Sequence, residues 1–459
     1  MAKNKTNIIQ IYDNETLVGH LSVFAETYMQ FRYDDAWLKN DKAFAIDPEL
    51  ALSEQIYENS QLWGCFADIS PDRWGRLLQN RLAGRSLSDI EYMLGVSDYY
   101  RVGSLRLKTD EIFQAPTNDI PKLVHINKLM RSSFNIEKDE YQRQDLSYLI
   151  EPSSSLGGAR LKASVLDKNK LYIAKFPSIN DEHSVILWEK TLLDLAQIAG
   201  IKVPNSRLIE LYNGKKALLV ERFDRDENGQ RIPFMSAMTL LKARERQNAD
   251  EKSYVDFAKN LPFDSDKQSL FKRMLFNALF GNTDDHLRNH ALLFDRQSKE
   301  WHLSPAYDLN PNPLPYDRQR HALNFVDNIN LPSIELCDDI KSHFAVDKSL
   351  FEQTLQECLN AGAKYKEIAL KNGIKAAEIE YFKGNFEHSE HKNKDLLKEF
   401  NKKLYDFIAK KSILLPQARE TRQKELFKEY ESLKKQGVKF DDKQMKAINS
   451  LCGGQNLGR

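Results

Sequence analysis

The chain has 459 residues, of which 41% are hydrophobic and 29% are charged, a composition typical of a folded protein with two or three domains. Its 67 Lys and Arg residues nearly balance its 66 Asp and Glu residues, which excludes a global electrostatic attraction to nucleic acid or anionic lipid. The 4 cysteines are far apart and form no Cys-x-x-Cys pair. This spacing argues against a disulfide framework and a structural zinc site, and it favours a cytoplasmic location.

The first quarter of the chain has the pattern of a small β-rich subdomain. Residues 7–35 alternate between apolar and polar side chains, which is typical of half-buried antiparallel strands. Ser70 and Pro71 are predicted as the N-cap and the first residue of a helix. An alternating run at residues 102–108 closes this region, and the polar stretch 109–121 is predicted to be a linker. We expect neither a signal peptide nor a segment that spans a membrane, because no apolar run is long enough.

The next hundred residues follow the order glycine loop, strand, helix and two more strands. Residues 171–176 are apolar enough for a buried strand, and residues 185–199 carry apolar side chains at helical spacing up to Gly200. Two further strands bracket Asn213 and Gly214, a strong signal for a hairpin turn. Beyond residue 225 the pattern is mostly helical, and the last part of the chain is highly charged.

The strongest candidate for catalysis lies in the mostly helical part. Asp284 and Asn289 are five residues apart, and Asp308 follows after a predicted strand. Protein kinases place a catalytic Asp and a metal-binding Asn at this spacing, with a second metal-binding Asp after the next strand. Mg²⁺ prefers such oxygen ligands and keeps some of its waters. The alternative is structural: a helix cap at Thr283 or Asp284 and a proline-flanked turn at Asp308.

A second group of residues is suited to binding a nucleotide. Gly157 and Gly158 allow backbone N–H groups to approach phosphate oxygens closely. Lys162 follows this loop, and Lys175 lies in the next predicted strand, where it would neutralise phosphates while Glu189 holds it in place. The alternative is that Lys175 and Glu189 lie on solvated faces of their strand and helix.

Two further motifs are open to competing interpretations. The segment VERFDR suits a hinge between two lobes, where backbone groups of Glu221 and Phe223 would bind an adenine edge, although a charged edge strand looks the same. His286 and His290 are four residues apart, the spacing that places two ligands on one helix face in metal hydrolases. A metal-dependent phosphohydrolase is therefore a rival hypothesis. We predict instead that His286 supports the shape of the catalytic loop.

Taken together, the motifs GGARLK, YIAKFPS, VERFDR, TDDHLRN and AYDLN resemble the HipA family of serine/threonine kinase toxins from bacterial type II toxin–antitoxin systems. The SPDRWGRLL segment is similar to the N-terminal region of that family, so the resemblance runs from about residue 10 to about residue 415. It implies an α+β, two-lobed protein-kinase-like fold. The predicted parts are an accessory β-rich subdomain (1–120), an N-lobe with the glycine loop (121–225), and a helical C-lobe with the catalytic loop and a charged C-terminal tail (226–459).

The resemblance also implies roles for single residues. Asp284 would be the catalytic base, Asn289 and Asp308 would bind Mg²⁺, and the remaining candidates would bind ATP: Gly157, Gly158, Lys162, Lys175, Glu221 and Phe223. Ser155 would be the site of autophosphorylation, with Ser153 and Ser154 as neighbouring acceptors, and a phosphate there would repel ATP and switch the enzyme off. Two residues differ from the family pattern: Asp285 stands where a small residue is common, and Arg288 stands where a Lys is common.

Partners follow from the same resemblance. The family implies a small helix-turn-helix antitoxin, operator DNA contacted mainly through that antitoxin, and a protein substrate such as an aminoacyl-tRNA synthetase. A protein that binds ATP and represses transcription without phosphoryl transfer is a further alternative.

Overall fold

The computed structural model describes residues 7–24, 28–109, 112–114, 121–146, 149, 162–212, 214–245, 247–314, 318–387, 400–408, 410, 416–435, 440 and 442–449. It divides into two compact units, Met1–Phe386 and Glu387–Arg459. The predicted boundaries at residues 120 and 225 stay predictions.

The N-terminal subdomain is built on one antiparallel sheet of six strands in the order β4-β3-β2-β1-β5-β6. The strands are β1 (Asn7–Asp13), β2 (Thr16–Phe24), β3 (Tyr28–Tyr33), β4 (Tyr57–Asn59), β5 (Leu105–Thr109) and β6 (Ile112–Phe113). Alternate residues such as Ile9, Leu21 and Phe31 are fully buried on one face, which confirms the strands predicted from alternation. Strand β6 lies within the predicted linker.

Short helices pack against the buried face of this sheet or follow it along the chain. They are α1 (Asp35–Leu38), α2 (Gly64–Asp68), α3 (Arg73–Ala83) and α4 (Asp89–Leu94), and a 3-10 turn follows at Asp98–Tyr100. The predicted start of α3 is wrong by two residues, because Asp72 is the N-cap and accepts a hydrogen bond from the Gly75 N–H at 2.6 Å. Ser70 instead donates to the Phe66 carbonyl at 2.8 Å, which ends the preceding helix.

The N-lobe contains a four-stranded antiparallel sheet in the order β7-β8-β10-β9. Its elements are β7 (Lys162–Asp167), β8 (Lys170–Lys175), β9 (Ser206–Glu210), β10 (Lys216–Glu221), α5 (Ile126–Glu137), α6 (Val185–Ile198) and a 3-10 turn at Leu123–His125. These bounds confirm the strand predicted at 171–176, the helix predicted at 185–199 and the paired strands on either side of Gly214. Leu78 of α3 is buried in the core of this lobe together with Val165.

The C-lobe is mostly helical and is built around one long buried helix, α9. Its described elements are β11 (Phe234–Ser236), α7 (Ala237–Leu240), α8 (Tyr254–Lys259), α9 (Asp264–Phe280), β12 (Ala291–Asp295), β13 (Glu300–Leu303), α10 (Ile334–Ile340), α11 (Lys348–Gly362), α12 (Tyr365–Asn372) and α13 (Ala376–Tyr381), with 3-10 turns at Ala249–Glu251, Leu287–Asn289, Lys341–Phe344 and Lys383–Asn385. Strands β11, β12 and β13 form an antiparallel sheet. The predicted α+β, two-lobed architecture is confirmed.

The second compact unit is a small helical bundle with a core of its own. Residues 400–408 are helical, and α14 (Pro416–Lys435) and α15 (Asp442–Asn449) follow. Phe400, Leu404, Tyr430 and Ile448 belong to its buried core. Among the helices that the structure describes, none combines the length and the apolar character needed to cross a membrane.

Candidate active site

Two lysines and one aspartate meet where the N-lobe sheet faces the C-lobe. Lys162 begins β7, Lys175 ends β8, and the two are directly paired across the strands. Their ammonium groups therefore lie side by side, and each donates to one oxygen of the Asp308 carboxylate, Lys175 to Oδ1 at 2.8 Å and Lys162 to Oδ2 at 3.2 Å. Both lysines are buried, at 8% and 7% exposure.

Helix α6 supplies a second carboxylate to this cluster. Glu189 accepts a hydrogen bond from Lys175 and is itself only 2% exposed. The alternative in which Lys175 and Glu189 lie on solvated faces does not describe this structure. A lysine held between two carboxylates is fixed in position, which is what a cation that has to meet a phosphate requires.

The electrostatics of the cluster favour the charged forms of Asp308 and Lys175. Burial acts to raise the pKa of Asp308, but Lys162 and Lys175 outweigh it and hold that pKa well below its usual range. Burial likewise acts to lower the pKa of Lys175, and Asp308 and Glu189 raise it instead. Asp308 also has a left-handed backbone (φ 57°), an arrangement that is disfavoured for residues other than glycine and that is enriched at functional sites.

The predicted catalytic loop follows the C-terminus of α9. Gly281 ends the helix with φ 69°, and the loop continues to a single 3-10 turn at Leu287–Asn289 before β12. The Asn289 side-chain amide donates to the Asp284 carbonyl at 2.7 Å. This hydrogen bond uses the amide nitrogen of Asn289 and does not use its amide oxygen. The Asp284 side chain is 82% exposed. Partial enclosure and the nearby Asp308 and Asp285 carboxylates raise the pKa of Asp284, although water screens much of this effect.

Buried polar groups behind the loop hold it in shape. Asp285 accepts hydrogen bonds from the Tyr254 hydroxyl at 2.6 Å and from His321 Nδ1 at 3.1 Å. His290 Nε2 lies 3.2 Å from the Asp285 carbonyl, and burial lowers the pKa of His290 to about 3, so the ring is neutral. Sequence reasoning missed Tyr254 and His321 because they lie 31 and 36 residues from Asp285. Asp285, which stands where a small residue is common in the family, is buried at 1% exposure.

His286, which is predicted to support the loop, and Arg288 both have partly exposed side chains. The nearest approach of His286 to Asp284 is 4.0 Å, from Nε2 to Oδ1, and the His286 side chain is 41% exposed. Arg288 forms an ion pair with Glu245 at 2.8 Å, and its carbonyl accepts from the Tyr307 hydroxyl at 2.8 Å.

The geometry required by the hydrolase hypothesis is not observed. His286 precedes a single 3-10 turn, and His290 follows it in extended backbone, so the two do not share a helix face. Within the described ranges of the chain, no group of three or more His, Cys, Asp or Glu side chains is arranged to hold a metal ion.

The hinge motif lies next to the lysine cluster. Glu221 ends β10 and pairs with Lys170 at 2.6 Å. The Phe223 ring lies 5.4 Å from the ring of Tyr307, the residue before Asp308. The structure therefore brings together Lys162, Lys175, Glu189, Asp308 and the hinge. Gly157, Gly158 and Ser155, with Ser153 and Ser154, lie outside the described residues.

The donor set fits a magnesium-bound triphosphate. Two buried ammonium groups converge on one point, which suits a polyanion, and Asp308 and Asn289 offer a carboxylate oxygen and an amide oxygen, ligands typical for Mg²⁺. Asp308 meets this requirement as an ionised carboxylate, since its lysine partners keep it deprotonated.

The sheet-and-helix N-lobe, the helical C-lobe and the charged cluster between them define a protein of the kinase-like fold class. Two family models match the chain: the HipA N-terminal domain over residues 9–94 and the HipA-like C-terminal domain over residues 154–365. The chain belongs to the HipA family.

Known proteins similar to this chain include one solved structure and two curated relatives. HipA of Shewanella oneidensis MR-1, solved with HipB and operator DNA, matches with a TM-score of 0.62 and 17% identity over 82% of this chain and 94% of that chain. Y4dM of Sinorhizobium fredii, provisionally named a kinase, is 26% identical over 49% of this chain. A Haemophilus influenzae protein, also provisionally named a kinase, is 24% identical over 35% of it. The matches span 62% and 54% of these two relatives' own lengths.

Proposed function

We propose that this protein is an ATP-dependent serine/threonine protein kinase that acts as the toxin of a toxin–antitoxin pair. The observation that carries the proposal is the convergence of Lys162 and Lys175 on the Asp308 carboxylate. A buried network of two cross-strand lysines with the Asp308 and Glu189 carboxylates adds little to stability, because desolvating charges is costly. The same arrangement is well suited to a ligand that brings negative charge and a divalent cation.

The lysines would bind the phosphates of ATP. In this structure each ammonium donates to Asp308. When a triphosphate is bound, the phosphate oxygens take the place of the carboxylate as acceptors, and Glu189 keeps Lys175 in position throughout. Asp308 and the Asn289 amide oxygen would then hold Mg²⁺, which neutralises charge on the transferring phosphoryl group. The glycine loop at Gly157 and Gly158 would cover the phosphates.

Asp284 would orient the attacking hydroxyl and accept its proton. Its exposed side chain is within reach of a protein substrate, and Asn289 holds the Asp284 carbonyl and so fixes the backbone of the base. Phosphoryl transfer has a loose transition state that requires mainly positioning and charge neutralisation, so an ordinary carboxylate is sufficient as base. The backbone of Glu221 and Phe223 would bind the adenine.

The partners and the regulation are part of the same proposal. The solved HipA relative forms a complex with HipB and operator DNA, which supports a helix-turn-helix antitoxin as partner here and DNA contact mainly through it. We infer a protein substrate of the translation machinery, such as an aminoacyl-tRNA synthetase, and autophosphorylation at Ser155. A variant in which only Ser155 is changed to Ala, compared with Ser153→Ala and Ser154→Ala, tests the acceptor: only the first should lose the autophosphorylation signal.

Incubation of the purified chain with γ-labelled ATP and Mg²⁺ tests the activity. Label on the protein supports the kinase. Release of free phosphate alone, or bound ATP without turnover, contradicts it and favours the hydrolase or the co-repressor, respectively. Asp284→Asn removes the base without changing the size of the side chain and should retain ATP binding while losing transfer.

A further inference from the structure

The side chains of the hinge segment between the lobes lie in two different environments. Phe223 packs against Tyr307 beside the lysine cluster, with 5.4 Å between the ring centroids. Arg222 and Asp224, its neighbours on either side, are instead buried at 4% and 3% exposure. Both side chains contact the N-terminal subdomain, and Arg222 Nη1 also donates to Ser164 Oγ of β7 at 3.4 Å. Phe223 therefore lies beside the lysine cluster, whereas its two neighbours contact the accessory subdomain.

Asp224 is the centre of a buried charge network. Arg222 donates to both of its oxygens, from Nε to Oδ1 at 2.9 Å and from Nη2 to Oδ2 at 2.6 Å, in the bidentate geometry that makes such pairs specific. Arg225 donates to Oδ2 at 2.7 Å. The backbone N–H of Gly103, which lies 121 residues away in the N-terminal subdomain, donates to the same oxygen at 2.8 Å.

Both hinge arginines also bind backbone carbonyls of the turn at residues 99–103. Arg222 Nη1 donates to the Tyr100 carbonyl at 2.8 Å, and Arg225 Nη2 donates to the Arg101 carbonyl at 3.0 Å. Carbonyls are held by the main chain, so these contacts fix the hinge to the turn itself and not to a mobile side chain. Gly103 has φ 70°, and a Cβ there would lie 3.0 Å from Phe234 Cβ, so the turn also packs closely against β11.

The turn 99–103 is itself held in place by contacts within the N-terminal subdomain. The Arg101 side chain is fully buried and donates to the carbonyls of Ile69 at 3.1 Å, Met93 at 3.1 Å and Val96 at 2.8 Å, near the ends of α2 and α4. Asp98, the residue before the turn, pairs with Arg106 of β5 at 2.8 Å. The hinge is therefore connected through the turn to two helices and the six-stranded sheet.

We propose that Arg222, Asp224 and Arg225, together with the turn 99–103, form a hinge clamp through which the N-terminal subdomain positions the hinge backbone for the purine base of ATP. These are positioning residues, since none of them contacts the lysine cluster. The inference rests on the proposed kinase function. It assigns to the accessory subdomain a part in nucleotide binding, in addition to any part in binding partners.

The clamp predicts that base recognition and triphosphate recognition can be separated. The lysine cluster binds the triphosphate through β7, β8 and α6, and the clamp acts on the segment after β10. Loosening the hinge should therefore weaken contacts with adenine and leave contacts with phosphate intact.

The experiment uses Asp224→Asn and the milder Arg225→Lys in the full chain. Binding of adenosine and of inorganic tripolyphosphate is measured by competition against a fluorescent ATP analogue. We expect both variants to bind adenosine about tenfold more weakly, the size expected for the loss of one or two hydrogen bonds. We expect tripolyphosphate affinity to change less than twofold, and the KM for ATP to rise while kcat stays within about threefold.

Asp226→Asn is the matched control. Asp226 lies two residues further on, is exposed, and accepts from the backbone N–H groups of Asn228 and Gln230, so the substitution removes the same charge without touching the clamp. Asp224→Glu restores the carboxylate and should recover part of the adenosine affinity.

Each outcome decides the inference. Equal loss of adenosine and tripolyphosphate affinity indicates general loosening of the fold and overturns the clamp, as does unchanged adenosine affinity in both variants. If Asp224→Asn fails to fold, judged by circular dichroism, Arg225→Lys keeps the test valid because it retains the charge. A parent protein that binds ATP but transfers no phosphate refutes the kinase proposal and leaves the clamp testable by binding alone.

Discussion

Asp308, the carboxylate of the lysine cluster, combines a negative charge, close lysine contacts and an uncommon backbone conformation. Asp308 is unusual because its left-handed backbone coincides with two direct lysine contacts. A strained conformation persists only where surrounding contacts determine it. The position of this carboxylate is therefore set by the two lobes together, and a change of the side chain at this point should affect chemistry more than folding.

Asp308→Asn tests the proposed metal ligand. Asn tolerates the left-handed conformation but carries no charge, so we expect a loss of roughly 100-fold or more in kcat, about 3 kcal/mol, with little loss of fold. Asp327→Asn is the matched control, because Asp327 also has a positive φ of 45° and is exposed. Kinase activity of Asp308→Asn equal to that of the control would refute the assignment.

Asp47, a buried carboxyl in the N-terminal subdomain, should make stability depend on pH. Burial raises the pKa of Asp47 to about 6. The hydrogen bonds that Asp47 accepts from the N–H groups of Glu49 and Cys65 act to lower this pKa, but burial outweighs them. A folded-state pKa above the unfolded value means that the folded form holds the proton more tightly, so this contribution to stability is lost as pH rises from about 4 to 6.

The measurement is the difference in unfolding free energy between the parent and Asp47→Asn. We expect the parent to lose up to about 1.4 kcal/mol per pH unit relative to the variant between pH 4 and 6, with a constant difference above that range. Asp35→Asn, at a side chain that is 73% exposed, is the control for removing one carboxylate. A parent-to-variant difference that is flat across pH 4 to 7 contradicts the argument.

At the level of elements, the proposed catalytic loop depends on the way helix α9 ends. Gly281 is its left-handed C-cap, and a Cβ there would lie 2.3 Å from Asn385 Nδ2 and 2.6 Å from Gln319 Nε2. Asn385 is buried and binds the Asn312 carbonyl at 2.8 Å, while the Asn312 N–H binds the Gly281 carbonyl at 2.7 Å. The helix end, the loop and the segment after Asp308 are therefore packed as one unit.

Gly281→Ala and Gly84→Ala form a matched pair. Both glycines end a helix with φ near 70°, but a Cβ at Gly84 meets no atom within 4 Å. We expect Gly84→Ala to cost about 1 kcal/mol from the backbone alone, and Gly281→Ala to cost about 3 kcal/mol because overpacking adds to it. Gly281→Ala should also lower kinase activity. Equal midpoints of urea unfolding for the two variants would contradict the packing argument.

At the scale of the whole molecule, the N-terminal subdomain is an integral part of the first compact unit. Leu78 of α3 is buried in the core of the N-lobe, and Phe294 of β12 in the C-lobe is buried in the core of the N-terminal subdomain. Asp13 of β1 forms an ion pair with Arg296 at 2.8 Å. The accessory subdomain therefore contacts both lobes, and its removal would expose apolar surface on each.

Leu78→Ala and Leu77→Ala test this integration at adjacent residues. Leu78 is fully buried against the N-lobe and Leu77 is 38% exposed. We expect Leu78→Ala to destabilise the first unit by about 2–5 kcal/mol and Leu77→Ala by less than about 1 kcal/mol. Thermal unfolding followed by tryptophan fluorescence provides the comparison. Similar effects of the two substitutions would mean that α3 does not contribute to the N-lobe core.

Local patterns in the sequence determined the strands, the main helices and the identity of the charged candidates. Alternation and helical spacing report which side of an element is apolar, and they do so without any knowledge of its partners. The spacing of Asp284, Asn289 and Asp308 along the chain likewise indicated a kinase-like site. One loop and two short strands, β12 and β13, lie between the first and the last of these residues.

Only the tertiary structure decided which groups meet. The Lys162–Lys175 pair depends on strand register, the burial of Asp285 depends on Tyr254 and His321 from distant elements, and the contacts of Arg222 and Asp224 depend on a turn about 120 residues earlier. Hydrogen bonds and ion pairs act over a few ångströms in space and leave no periodic trace along the chain. For that reason the contacts of His290 and Asp285 behind the proposed catalytic loop, and the contacts of the proposed hinge clamp, could not be derived from the sequence.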